Sequence, residues 1–302
     1  MTVYIPKFEV PKMDKMFVVA PNMEVNFSTD FKIKSTVLAV RSQRTPLHAF
    51  VSSPILPTKK QECGDTHFAH ITQNVECEFC DFKVTDGPIK GNFTVRNELI
   101  LKTKSGAIDA NITMVSNTTD ARHGPIVDIT TTTGSINTNF TLVAVDPETE
   151  EKVLSGGFYH IATRSRHAPV RLEIVDAPAN SVVDLCSKNA WGPLEVWLHP
   201  TYQGRFRSEA LIGDTPLGLI GGAVDPSGNG RKRNLFWNGW SIPPGVKHVL
   251  SGEVWWGDRL QPRYPDIPYS QIASSVRLKA IIGQPLVFVP ISIPNETRIS
   301  AS

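Results

Sequence analysis

The sequence predicts an all-β protein built as a β-solenoid-like stack of about eight strand-turn-strand units, and three observations carry that expectation. First, a cassette recurs: a short alternating run, a polar segment, a small-residue turn, and a second run opened by an aliphatic residue. It reads LILKTKSGAIDANI from Leu99 to Ile112, VDITTTTGSINTNF from Val127 to Phe140 and VDLCSKNAWGPLEVWL from Val183 to Leu198. Second, the runs alternate with period two, which buries one side of a strand and exposes the other. Third, no useful window places apolar residues at three-and-four spacing behind a capping residue, so helices are not expected.

The units open in order at Thr45-Pro46-Leu47, Gly87-Pro88-Ile89, Gly106-Ala107-Ile108, Gly134-Ser135-Ile136, Ala168-Pro169-Val170, Gly192-Pro193-Leu194, Thr215-Pro216-Leu217 and Gln284-Pro285-Leu286. Gly or Pro at each corner supplies a turn geometry that most residues resist. A strand pair this short cannot bury its own apolar face, so neighbouring units must stack, with stacked β-sheets as the alternative arrangement. Spacing between units is uneven, and Pro54–Glu76, Asp146–Gly156 and Ala223–Gly245 read as loops. Residues 1–30 form a lead-in, 31–290 a single repeat domain and 291–302 a polar tail.

At 302 residues, 40% hydrophobic and 20% charged, the composition is that of a soluble globular protein. A net charge of +2 is too small to argue for wholesale capture of nucleic acid. No segment approaches the roughly 20 apolar residues of a membrane-spanning helix, and the N-terminus shows no signal-peptide apolar core. Four cysteines, Cys63, Cys77, Cys80 and Cys186, make no disulfide framework, so a cytoplasmic location is expected. The alternative is extracellular or cell-surface, because six Asn-X-Ser/Thr sequons occur, at Asn26, Asn92, Asn111, Asn117, Asn139 and Asn295.

One family resemblance rests on ordered segments. The run DLCSKNAWGPLEVWLHPTYQGRFRSEA, followed by DPSGNGRKR, HVLSGEVWWG and SSVRLKAIIGQPLVFV, resembles a fungal, basidiomycete-type β-solenoid domain family related to bacterial adhesin-like repeats. It covers about residues 60 to 290. The resemblance implies a right-handed parallel β-helix-like stack and brings no activity or cofactor. The chain departs from the small-residue turn at DFKVTD (Asp81 to Asp86) and at Trp191.

Candidate chemistry is sparse. Cys63, His67, His70, Cys77 and Cys80 carry zinc-ligand atoms. Within His67/His70 and Cys77/Cys80, however, the three-residue spacing puts the two members on opposite faces of a strand, so no metal site is expected. Trp191, Trp197, Trp237, Trp240, Trp255 and Trp256 all lie in the C-terminal part, near Arg231, Lys232 and Arg233. Trp237, Trp240, Trp255, Trp256, Arg231 and Arg233 are the expected binding residues, since aromatic faces bind sugars or proteins when exposed. Capping of the stack end is the competing role for the aromatics, and adjacent Trp255 and Trp256 cannot both face inward.

No P-loop or other cofactor motif is present, and no GxSxG elbow. Asp109 with Asp128, and Asp176 with Asp184, are the carboxylate pairs a polysaccharide-cleaving enzyme would need; solvated strand positions explain them more simply. The expected function is a non-enzymatic scaffold or adhesion-type module contacting a protein or glycan through loops and the Trp-rich end. The alternative is a carbohydrate-active lyase or hydrolase on the same frame.

Overall fold

The computed structural model describes residues 86–117, 124–241, 247–258 and 274–291, the strand backbones at 16–19, 25–26, 38–41, 46–48, 60–66 and 68–84, and side chains of β6 from Glu76 except 77 and 84. Among these residues there is no helix. The strands are β1 (Met16–Val19), β2 (Val25–Asn26), β3 (Leu38–Arg41), β4 (Pro46–His48), β5 (Lys60–Thr66), β6 (Phe68–Val84), β7 (Ile89–Thr103), β8 (Ile108–Asn117), β9 (Ile126–Thr130), β10 (Ile136–Val145) and β11 (Lys152–Val153). They continue as β12 (Phe158–Ser165), β13 (Val170–Asp176), β14 (Val182–Trp191), β15 (Leu194–Trp197), β16 (Gly204–Ile212), β17 (Leu217–Ile220), β18 (Arg233–Ser241), β19 (His248–Trp256), β20 (Ser274–Ile282) and β21 (Pro285–Pro290). Apart from the β1–β3 pair, they form one large, mostly parallel sheet that is not closed.

The pairings run in two series. In the first, the aliphatic residues that follow the turns lie in register: Ile89 beside Ile108, Ile108 beside Ile136, Ile136 beside Val170 and Val170 beside Leu194; in the last rung Leu194 meets the corner residue Pro285 itself rather than Leu286. In the second, Cys80, Leu99, Val127, Ile161, Leu185, Val276 and Phe206 form a like ladder. Both ladders are buried and belong to one continuous core, so period-two alternation points the apolar side chains of each series into a shared interior.

The cassette's polar segment has a structural use. Thr103 donates to the Gly87 carbonyl (3.0 Å) and accepts from the Gly106 amide (3.0 Å). One rung on, Thr131 repeats this with the Gly106 carbonyl (3.3 Å) and the Gly134 amide (3.0 Å). A buried hydroxyl three residues before the corner therefore satisfies backbone groups that the turn leaves without a ladder partner. Gly134 is small because the next turn is close: a Cβ there would stand 1.6 Å from the Gly106 carbonyl oxygen.

Three sequons share one strand register. Asn92, Asn111 and Asn139 are exposed in adjacent strands, with Asn111 donating to Asn92 (2.9 Å) and Asn139 to Asn111 (3.0 Å). The middle residues, Phe93, Ile112 and Phe140, are core, so the Asn-apolar-Thr pattern follows from an amide ladder beside a buried position.

Two expectations need correction. The segments read as loops contain strands: β5 and part of β6 lie in 54–76, β11 in 146–156 and β18 in 223–245. They escaped notice because β18 is exposed on both sides from Phe236 to Ser241 and so lacks alternation. The units are also not stacked in chain order. β20 lies between β14 and β16, and β21 between β15 and β17, so the last-synthesised pair is inserted one rung inside the edge. Beyond β16 the sheet turns antiparallel, through β19 to β18.

Candidate functional site

Insertion of β20 beside β16 builds an open cleft. Alternation along β16 sends Phe206, Ser208 and Ala210 inward and Arg205, Arg207 and Glu209 outward; along β20 it sends Val276 and Leu278 inward and Ser275 and Arg277 outward. Register then sets Arg205 beside Ser275 and Glu253, and Arg207 beside Arg277 and Ser251. With Phe236 from β18, these residues line an open cleft of about 390 Å³.

Its charges are ordered. Arg277 donates to Asp184 (3.1 Å), which also accepts from the Ser275 hydroxyl (2.6 Å) and faces His160 Nδ1 at 3.1 Å. The His160 hydrogen bond above all, with Ser275 and Arg277, holds the Asp184 carboxyl well below the usual carboxylate range against partial burial. Arg207 and Lys247 grip Glu209 at 2.6 and 3.0 Å, and although burial works against it, these bonds keep Glu209 below its ordinary value. Asp, His and Ser meet here, but the serine hydroxyl donates to the carboxylate rather than to the imidazole, so nothing in the trio activates it as a nucleophile.

This arrangement has a pH signature. A carboxyl whose folded pKa lies below its unfolded value of about 3.9 stabilises the fold above that pH and loses the contribution as pH falls. Asp184→Asn is therefore expected to cost about 1–3 kcal/mol at pH 7. In urea titrations the gap to the parent should shrink below about pH 4; a gap independent of pH would remove the charge from the explanation.

The six residues expected from sequence part company in the structure. Trp237 and Trp240 are exposed, as is Phe236 beside them. Alternation puts Phe236 and Trp240 on one side of β18 and Trp237 on the other. Trp255 is half-buried and Trp256 is buried, so one of the pair faces inward. Arg233 is buried, stacks over Trp256 at 5.0 Å and donates to the carbonyls of Pro200 and Tyr202. Burial pulls its pKa down to about 10. Trp256 Nε1 also donates to Pro200 (3.0 Å), so Arg233 and Trp256 pin the β18–β19 hairpin to the turn before β16. Arg231 is tied to Asp225 at 2.9 Å, and Asp225 further accepts from the Ser227 and Arg231 amides. The guanidinium of Arg231 and those bonds hold the Asp225 carboxyl far below its usual range.

Sequence reasoning missed Phe236, Arg205, Arg207 and Arg277. Outward strand positions for both β16 arginines were legible from alternation, but their meeting with Arg277 depends on a pairing between segments some 70 residues apart, which no local pattern encodes.

The carboxylate pairs do not converge. Asp109 belongs to the first series, between Lys90 (3.9 Å) and Asn137 (3.3 Å), whereas Asp128 belongs to the second, beside Lys102 (3.8 Å). Asp176 faces Lys152 (3.6 Å) and Asp184 the cleft group. Of the zinc-type cluster, Cys80 is buried and disulfide-bonded, so its sulfur is no thiolate ligand, while Cys186 is free. The side chains of Cys63, His67, His70 and Cys77 lie outside the described residues.

Comparison of the chain with known protein families, with curated proteins and with solved structures finds no match.

Proposed function

We propose that the chain is a non-enzymatic glycan-binding module on a β-solenoid-like frame, its ligand surface the cleft between β16, β20 and the β18–β19 hairpin. The solenoid reading draws on the two in-register ladders and the resemblance in residues 60–290. The observation that carries the functional reading is the exposed aromatic pair Phe236 and Trp240 on one side of β18, beside a cleft lined by Arg205, Arg207, Arg277, Ser251 and Ser275. Flat aromatic faces take the apolar faces of sugar rings, and arginine and serine donors take their hydroxyls. Burial of Arg233 and Trp256 supports the same reading, since they brace the hairpin that presents those rings. The Cys80 disulfide favours the extracellular or cell-surface alternative over the cytoplasmic one.

The test is a glycan array followed by titration of the best hits. Phe236→Ala and Trp240→Ala are expected to weaken binding about tenfold or more, equivalent to about 1.4 kcal/mol, without moving the thermal midpoint. Unchanged affinity in both variants, or cleavage of the bound glycan, would overturn the proposal.

A further inference from the structure

We infer that the glycan is a linear acidic polysaccharide that runs out of the cleft along a row of cations on the outward side of β20, β14 and β12; this rests on the glycan-binding reading above. Register sets Arg164 beside Lys188 and Lys188 beside Lys279. All three are exposed, and adjacent strands lie about 4.8 Å apart, so three like charges stand side by side across three rungs. Like charges directly opposite one another destabilise a sheet. Glu209 is the register neighbour of Lys279 on β16 but is gripped by Arg207 and Lys247, and among the described residues no carboxylate forms an ion pair with Arg164, Lys188 or Lys279.

Outward cations on several other strands are answered. Lys90 faces Asp109, Lys102 faces Asp128, Arg171 faces Glu173 and Arg207 faces Glu209. The contrast makes the open row a feature of this one surface. Lys279 follows Arg277 by two residues on the same side of β20, so the row is continuous with the cleft. The evenly spaced charges match a polymer carrying one anion per repeat, such as a chain of uronic acids or sulfated sugars. A single-stranded nucleic acid would call for aromatic platforms interleaved with the cations, and Arg164, Lys188 and Lys279 have none between them.

The experiment uses the full chain with polygalacturonate as the carboxylated probe, heparin as the sulfated probe and laminarin as a neutral glycan. Single-stranded DNA and phosphatidylserine vesicles are the non-glycan polyanions. The variant is Arg164→Gln, Lys188→Gln, Lys279→Gln, which removes the mutual repulsion at exposed positions and should melt no lower than the parent. Support is binding of polygalacturonate or heparin that weakens steeply between about 0.05 M and about 0.5 M salt and falls about tenfold or more in the triple variant. Preference between the two probes tells carboxylate from sulfate. Laminarin binding that needs Phe236 and Trp240 but ignores the triple variant would overturn this inference and leave the glycan-binding reading standing. No glycan binding at all would overturn both. DNA or vesicles bound as tightly as the acidic glycans would also overturn the inference, because the row would then be a general anion surface.

Discussion

Removal of residues 274–302 is expected to abolish cooperative folding rather than trim an end. Among the described residues, β16 and β17 have no strand pairing with β14 and β15; their parallel pairing to the rest of the sheet runs through β20 and β21. Val276, Leu278, Val287 and Val289 are buried in the common core. At roughly 1.5–3 kcal/mol for each apolar side chain, their loss rivals a whole-domain stability of about 5–15 kcal/mol. Polar bonds go as well. Ser274 accepts from the Val183 amide (3.0 Å) and donates to the Ser181 carbonyl (3.2 Å), and Ser208 donates to the Pro285 carbonyl (2.9 Å). Urea unfolding followed by circular dichroism should give the truncated chain no sigmoidal transition. A transition with the parent's midpoint and slope would mean that the last strands are appended, not inserted.

Ile136→Asp is the point substitution expected to do most damage. Ile136 is 1% exposed and lies between Ile108 and Val170 in the first ladder, with its amide donating to the Pro169 carbonyl (2.9 Å). A carboxylate there has no cation within the core, so it must stay buried unpaired, take up a proton or push the turn open. The expected loss exceeds about 4 kcal/mol. Ile136→Val keeps the site apolar and should lose only about 0.5–1.5 kcal/mol, which gives a graded reading if the Asp variant does not fold. A loss within about 0.5 kcal/mol for Ile136→Asp would place the residue at the surface.

Much of this frame is written locally. Every corner read from Gly or Pro followed by an aliphatic residue, from Pro46-Leu47 to Pro285-Leu286, opens a strand of the first series, because turn chemistry and period-two burial act over a few residues. The same locality explains the misses. β18 carries Leu235, Phe236, Trp237 and Trp240 without alternation, since neither side of that strand from Phe236 onward is covered. Three of the Asn-X-Thr triplets also form an amide ladder, visible only once the strands are laid side by side.

In the candidate site, Trp237 and Trp240 were legible as aromatics worth watching, but which tryptophans are exposed was not. Trp256 and Arg233 share that composition and neighbourhood and are buried, because they close over the turn at Pro200 and Tyr202. A residue's own sequence context sets what it can do, not whether solvent reaches it.

By itself, then, the sequence determined that the chain is all-β, where the strands that follow the Gly or Pro corners begin and which of their positions are apolar, since those follow from backbone sterics and from an alternation confined to a few residues. Only the tertiary structure decided that β20 and β21 slot inside the edge of the stack, that Arg277 meets Arg207, and that Arg164, Lys188 and Lys279 stand in one unanswered row. Parallel pairing joins segments remote in the chain, and the free energy that selects a neighbour comes from burying the shared core, a property no single segment contains.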